Sequence, residues 1–267
     1  MIYYRGKNGV KIAEIWYNPD ERPGEAIDVI RYRFVPEILK KAFSVEEKHT
    51  LILDLSKTAE DLFSLFRKNT KYEINRAKER DAVVCGTFFE RGEDNNEKLA
   101  KYLDFFNAFA QSKNRTPCTL DEFGCYIKNG SFCVRCAEKD SQFLVMHAYI
   151  VSDGRARLHQ SASHFRNVDD AEFRNLAGRA NRLLHWDDML YFKALGIQYY
   201  DFGGLYLGST DKEKILIAQF KQAFGGEVLR EYLYLSPVSI LGWLSIFPHA
   251  LHRIYEKTVW RLEKAAR

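Results

Sequence analysis

The sequence is poor in proline (6) and methionine (3) across 267 residues, and its longest late apolar stretch runs only from Ile240 to Phe247. A bilayer-crossing helix needs about 20 apolar residues in a row, so no segment qualifies as a membrane span. The opening residues Met1-Ile2-Tyr3-Tyr4-Arg5-Gly6 lack the basic stretch and apolar run of a secretory leader, and the expected compartment is the cytoplasm. Also missing are a Walker-type nucleotide loop, a zinc-protease helix motif and a nucleophile elbow, which sets aside phosphoryl transfer and covalent hydrolase chemistry. Cysteines are few and odd in number, at 85, 118, 125, 133 and 136, which fits reduced thiols better than a disulfide framework. Cys133-x-x-Cys136 falls on a stretch that reads as a strand. Positions three apart there face opposite sides, and no second pair stands nearby, so no metal site is expected.

What is present is an ordinary globular composition, 46% hydrophobic and 14% aromatic, enough for one sizeable core or two modest ones. The net charge of +4 is concentrated in one place: Arg67, Lys68, Lys71, Arg76, Lys78 and Arg80 stand against Glu73 and Glu79. This is either a solvated helix face or an attractor for a phosphate-bearing substrate such as a nucleotide-linked sugar, coenzyme A or tRNA. Lys71 is the candidate binding residue within it.

Periodicity and turn chemistry predict an order of elements. Residues 2–17 read as a hairpin turning at Asn8-Gly9, and 49–55 as a buried strand. Thr58-x-x-Asp61 caps a helix that carries Leu62, Phe63, Leu65 and Phe66 and runs on to Arg80. A strand over 82–88 and a polar loop follow. Leu99, Leu103, Phe106 and Ala110 then share a helical face, and Thr119-x-x-Glu122 caps a short helix. Strands over 131–137, 142–151 and 155–163 come next, the last two joined at Asp153-Gly154. A helix over about 179–195, a strand over 197–202, a helix opened by Thr210-x-x-Glu213 and closed by Gly225-Gly226, and a strand over 227–235 complete the list. The expected domains are an N-terminal subdomain over 1–81, a main domain over 82–236 and an amphipathic tail over 237–267.

That order is the one expected of a GNAT domain, an α+β fold with a mixed sheet flanked by helices. Three local motifs sharpen it: Tyr199-Tyr200-Asp201-Phe202-Gly203-Gly204, Phe220-Lys221-x-x-Phe224-Gly225-Gly226, and Lys71-x-x-Ile74-x-x-Ala77-Lys78. Over residues 50–235 the chain resembles the Fem peptidyltransferases of the GNAT superfamily. The resemblance implies an acyltransferase, with Lys221 stabilising the transition state and Phe220 beside it. Family members have two complete GNAT-like halves, whereas only about 80 residues precede the main domain here, so the first half is expected in reduced form. A long coiled-coil insertion of the kind some members use with tRNA is also lacking.

Acyl transfer to an amine requires near-attack geometry and stabilisation of negative charge growing on the carbonyl oxygen. Lys221 and Asp201 are the candidate catalytic residues, Asp201 as acceptor of the amine's proton or as an orienting group. Gly203 and Gly204 let the backbone approach a ligand, and Tyr200, Phe220 and His159 are candidate substrate-binding residues. A two-residue turn at Asp153-Gly154 would pair His147 with Gln160 and place His147 and His159 on opposite faces of the sheet. Asn175-Leu176-Ala177-Gly178-Arg179-Ala180, at the expected start of the long helix, resembles the pyrophosphate cradle of acetyl-CoA enzymes, with Asn in place of the usual Gln or Arg. Asn175, Gly178, Arg179 and Ala180 are therefore candidate cofactor-binding residues.

The expected reaction is N-acyl transfer from an acyl thioester, on coenzyme A or acyl carrier protein, to an amino sugar, amino acid or cell-envelope precursor. An aminoacyl-tRNA donor with a peptidoglycan precursor is the alternative, and a catalytically silent binding module is a third reading. The tail mixes Trp243, Leu244 and Ile246 with Arg253, Lys257 and Arg261, which suits either an interfacial helix on an anionic membrane or packing on its own domain.

Overall fold

The computed structural model describes residues 1–37, 43–163 and 171–246. In chain order the strands are β1 (Ile2–Lys7), β2 (Val10–Trp16), β3 (Val29–Val35), β4 (Ser44–Asp54), β5 (Val84–Phe89), β6 (Phe132–Lys139), β7 (Gln142–Ser152), β8 (Arg155–Ser163), β9 (Tyr199–Gly204) and β10 (Glu227–Pro237). The helices are α1 (Ala59–Ser64), α2 (Lys68–Glu79), α3 (Asn96–Ser112), α4 (Gly124–Lys128), α5 (Ala171–Ala194) and α6 (Lys212–Gln222). The expected α+β class with a mixed sheet and flanking helices is what forms.

The chain divides into two compact units, Met1–Lys48 with Glu231–Arg267, and His49–Arg230. The division expected near residue 81 is displaced because Leu51, Leu53, Leu62, Phe66 and Ile74 belong to the same core as the central strands β7 and β9. In the smaller unit β1 and β2 form the predicted hairpin, with Lys7 opposite Val10 and both turn residues in the left-handed region, Asn8 at φ 51° and Gly9 at 78°. A strand that the sequence reading passed over, β3, pairs parallel with β2 and antiparallel with β10.

In the larger unit the strand order is β4-β9-β8-β7-β6-β5, antiparallel except for the parallel pair β8 and β9. Six consecutive residues of β6 and nine of β7 are buried, so both faces of the sheet are covered. One face of β6 meets α3, through Phe132 and Tyr102 with ring centroids 6.1 Å apart. The other meets α5, through Arg135 and Asp188. Each fully buried aromatic in these layers contributes roughly 1.5–3 kcal/mol by transfer from water.

The boundaries of α1 and α6 differ from expectation for identifiable reasons. Thr58 caps α1 as predicted, accepting from the Asp61 amide, but the helix breaks over residues 65–67 before α2 begins. The break turns Phe66 into the core, where its ring meets Trp186 at 5.3 Å and Phe224 at 5.1 Å. At α6 the cap is Asp211, accepting from the Lys214 amide, one residue beyond the predicted Thr210. Such caps contribute about 1 kcal/mol each.

Candidate active site

The parallel ladder between β8 and β9 is short: Arg155 pairs with Tyr199, Ala156 with Tyr200 and Arg157 with Asp201, and there it ends. Beyond that point β8 stays with β7 as far as Ser163, while β9 stays with β4 through Gly204 and Thr50. Gly203 marks the parting. Its φ is +69°, and a Cβ there would lie 2.6 Å from the Leu158 carbonyl oxygen, so only glycine lets the two backbones approach this closely. His159, the next residue of β8, is the extra residue of a β-bulge: Tyr149 pairs with Leu158, but Ala148 pairs with Gln160. His147 consequently pairs with Ser161, not with Gln160 as a regular ladder would have it. The exposed His159 ring lies against Phe123, centroids 5.8 Å apart, close to where the strands part.

Lys221 sits in the last turn of α6 and reaches back to the end of β9. Its ammonium donates to the carbonyls of Phe202 at 2.8 Å and Gly204 at 2.7 Å. An ammonium has three N–H donors, and the third has no partner among the described residues. Burial pushes the pKa of Lys221 down to about 8; the Asp201 charge opposes that fall and Arg157 adds to it. A partly buried amine poised near neutrality is a common property of reacting groups.

Asp201 is fully buried and saturated with donors. Its oxygens accept from Arg155 Nε at 2.7 Å, from Arg157 at 2.5 Å and from the Gly203 amide at 2.8 Å, and the single proton of the Thr50 hydroxyl is shared between this carboxylate and the Gly203 carbonyl. Burial alone would raise its pKa, but Arg157 and Arg155 outweigh it and hold the carboxyl below the usual value of 3.8. A carboxylate so engaged is a weak base with no lone pair to spare. These bonds speak for Asp201 as an orienting group over an acceptor of the amine's proton: it fixes the turn at Gly203 between the two carbonyls that hold Lys221.

Behind β9 lies an aromatic wall. Phe220 is half-buried against His185 and Phe224, with centroids 5.5 and 5.6 Å away, and the Arg182 guanidinium lies over its ring at 4.8 Å. Tyr200 faces the same side, its hydroxyl 2.6 Å from His185 Nδ1 and 2.6 Å from the Tyr149 hydroxyl. Tyr149 donates to Asp188 at 2.7 Å, and Asp188 also takes Arg135 Nε at 3.0 Å and His147 Nδ1 at 2.8 Å. Burial lowers the His185 pKa well below normal and raises those of Tyr149 and Tyr200. With Tyr149 donating to Asp188, Tyr200 donates to Tyr149 and the neutral His185 donates from Nδ1 to Tyr200. Tyr200 thus has a place in the wall, and its hydroxyl is committed to this chain of bonds.

The sequence reading missed this network and the Arg155, Arg157 and Thr50 cluster. The cue for the arginines was present: two cations alternate with Ala156 and Leu158 on a strand otherwise buried.

The expected coenzyme cradle is not available. Helix α5 includes residues from Ala171, eight before the predicted start, so Asn175, Gly178, Arg179 and Ala180 lie within its turns and their amides bond to carbonyls four residues back. Asn175 is exposed, Gly178 is half-buried, Ala180 is buried in the core, and Arg179 is buried and paired with Asp81. Lys71 donates to the Ser64 carbonyl at 2.8 Å in the elbow between α1 and α2. That elbow touches the end of α6, where the Arg67 amide donates to the Ala223 carbonyl at 2.9 Å.

No protein-family model and no curated protein sequence matches the chain. Solved structures do. FemX superimposes with a TM-score of 0.64 at 11% identity, covering 92% of this chain and 86% of FemX. The chain shares the fold of FemX. The C-terminal domain of a putative lysylphosphatidylglycerol synthetase from Agrobacterium fabrum gives 0.54 at 11% identity, covering 94% and 84% of the two chains. L-PGS from Bacillus licheniformis gives 0.53 at 10% identity, covering 90% and 82%. The resemblance carried by the three short motifs is thus matched by a likeness of fold over nearly the whole length.

Proposed function

We propose that this chain moves an acyl or aminoacyl group from an activated donor to an amine. The observation that carries the reading is the Lys221 ammonium, with one N–H unengaged, held at the end of β9 beside the point where β8 and β9 part. In this reading the amine nitrogen attacks the donor carbonyl carbon and the carbonyl oxygen takes up negative charge. The third N–H of Lys221 donates to that oxygen. Collapse expels a thiolate or a ribose oxygen as the amide forms, and the nitrogen loses its proton to solvent, since Asp201 has no capacity for it.

The name of the synthetase relatives joins an amino acid to a lipid, which supports a cell-envelope acceptor. The helical setting of residues 175–180 removes the sequence argument that favoured a thioester, so aminoacyl-tRNA stands beside acyl-CoA as donor. Thermal unfolding with coenzyme A, acyl-CoA and aminoacyl-tRNA in turn separates them. A ligand at a hundred times its Kd stabilises the folded state by about 2.7 kcal/mol, which raises the midpoint by several degrees. One donor is expected to do so; a folded protein unmoved by all three overturns the reading in favour of a silent binding module.

The protonated amine is the working form of Lys221 here. Its folded-state pKa of about 8 predicts a transfer rate that falls as pH rises through about 8. In Lys221→Arg the cation persists to much higher pH, and this limb moves up by two units or more. A pH–rate profile of the two proteins checks it; a limb unmoved in the variant would assign the titration elsewhere.

A further inference from the structure

We propose that residues 238–246 form a docking face for an anionic bilayer surface, independent of the transfer chemistry. After β10 the chain is tied down at Asp28: its carbonyl accepts the Val238 amide at 2.9 Å, and its carboxylate accepts the Ser239 hydroxyl at 2.5 Å. Ser239 in turn receives the Gly242 amide at 3.0 Å and starts a helical segment over 240–246. This segment lies on the smaller unit by a narrow edge. A Cβ on Gly242 would come within 2.0 Å of the Asp28 carbonyl oxygen, and Ile246, one turn on, packs with Val10, Ile12 and Val29.

The large apolar side chains around it keep much of their surface in water, and Leu241 and Leu244 also line a groove with Val10, Ile12 and Val29. Ile240 is 82% exposed and Leu244 65%, with Val238, Leu241 and Trp243 each about half exposed. Phe43 adds a further exposed ring, set edge-on to Trp243 at 5.0 Å. No other stretch of the described chain exposes five large apolar residues within seven positions. Ordinary solvated helices do not present an outward face of Ile, Trp and Leu, and a patch of this kind marks an interaction surface.

Charge decides what it meets. No Asp or Glu occurs from residue 232 to 255, and the sequence beyond 246 carries Arg253, Lys257, Arg261, Lys264 and Arg267 against Glu256 and Glu263. Tryptophan and aliphatic residues followed by a basic run match the chemistry of an anionic headgroup layer: rings at the interface and cations at the phosphates. Anchoring through Asp28 and Gly242 holds the exposed Ile240 and Trp243 in place before contact, which lowers the ordering cost of binding.

The test is co-sedimentation of the full chain with phosphatidylcholine vesicles, with and without phosphatidylglycerol, alongside the triple variant Ile240→Ser, Trp243→Ser, Leu244→Ser. The expected result is sedimentation with the anionic vesicles, weakened by salt, and a fall of about tenfold or more in the variant at an unchanged melting temperature. The three side chains are exposed, so the variant is expected to fold. Failure of the wild type to sediment, equal binding to neutral vesicles, or equal binding by the variant each overturns the proposal. A dimer that the variant loses while the wild type ignores vesicles would assign the face to a second copy of the chain instead.

Discussion

Replacing Lys221 with alanine is expected to lower the transfer rate by about 10²–10³-fold, the typical cost of losing one charge-stabilising donor at an acyl-transfer site. The loss falls on kcat and kcat/KM together, because the third N–H of the ammonium serves the transition state more than the bound donor. Stability is expected to change little. The side chain is partly buried, and the Phe202 and Gly204 carbonyls it leaves lie at the open end of β9, where Gly204 is exposed to water. Single-turnover rates of the two proteins, with melting curves to confirm equal folding, check this. A rate within threefold of wild type would remove Lys221 from the chemistry and leave it a structural clamp.

The second large effect is on stability. Asp201→Ala removes the carboxylate that accepts from both Arg155 and Arg157, themselves buried, and breaking a buried ion pair from one side costs about 3–5 kcal/mol. Denaturant midpoints measure it. Because the folded carboxyl is held below 3.8, its contribution is complete above that pH, is lost as pH falls through the folded value, and is absent in the variant. Asp201→Asn, which keeps the shape, separates this role from the one first expected of the residue. As an anchor, Asp201→Asn leaves the rate per folded molecule within about tenfold, whereas a proton acceptor would forfeit 10²–10⁴-fold. It also carries a signature: the Asp201 charge raises the Lys221 pKa, so its removal moves the alkaline limb to lower pH. A loss of rate as large as that of Lys221→Ala, with the limb in place, would restore Asp201 as a proton acceptor.

Local chemistry was the legible part of this fold. Asn8-Gly9 and Asp153-Gly154 specify their hairpins because both positions of such a turn need positive φ, and Asp153 and Gly154 take 49° and 71°. Thr58 caps α1, and the Thr119 to Glu122 box closes a single 3-10 turn, Leu120–Glu122, just before α4. Lys221, Phe220, Tyr200, Asp201, Gly203 and Gly204 were legible as a group, and the fold gathers them at the end of β9 and the aromatic wall behind it.

What stayed hidden depends on partners distant in sequence. The bulge at His159 arises where β8 leaves β9, and nothing in residues 155–163 announces a parallel neighbour 40 positions away. The same blindness concealed why Asp201 is anchored: Thr50 and the two arginines reach it only through the pairing of β9 with β4 and β8. Helix α5 runs through Gly178, since a glycine inside a long, otherwise favourable helix costs only about 1 kcal/mol. The short pattern of residues 175–180 that resembles a coenzyme cradle therefore sits inside a helix.

The most direct measurement of the central claim is label transfer. Radiolabelled acyl-CoA and aminoacyl-tRNA are supplied separately, with amino sugars, amino acids and lipid-linked cell-envelope precursors as acceptors, to the wild type and Lys221→Ala side by side. Labelled amide formed from one donor by the wild type, and reduced a hundredfold or more in the variant, is the predicted result. No labelled amide from either donor, or equal amounts from both proteins, would contradict acyl transfer at this site.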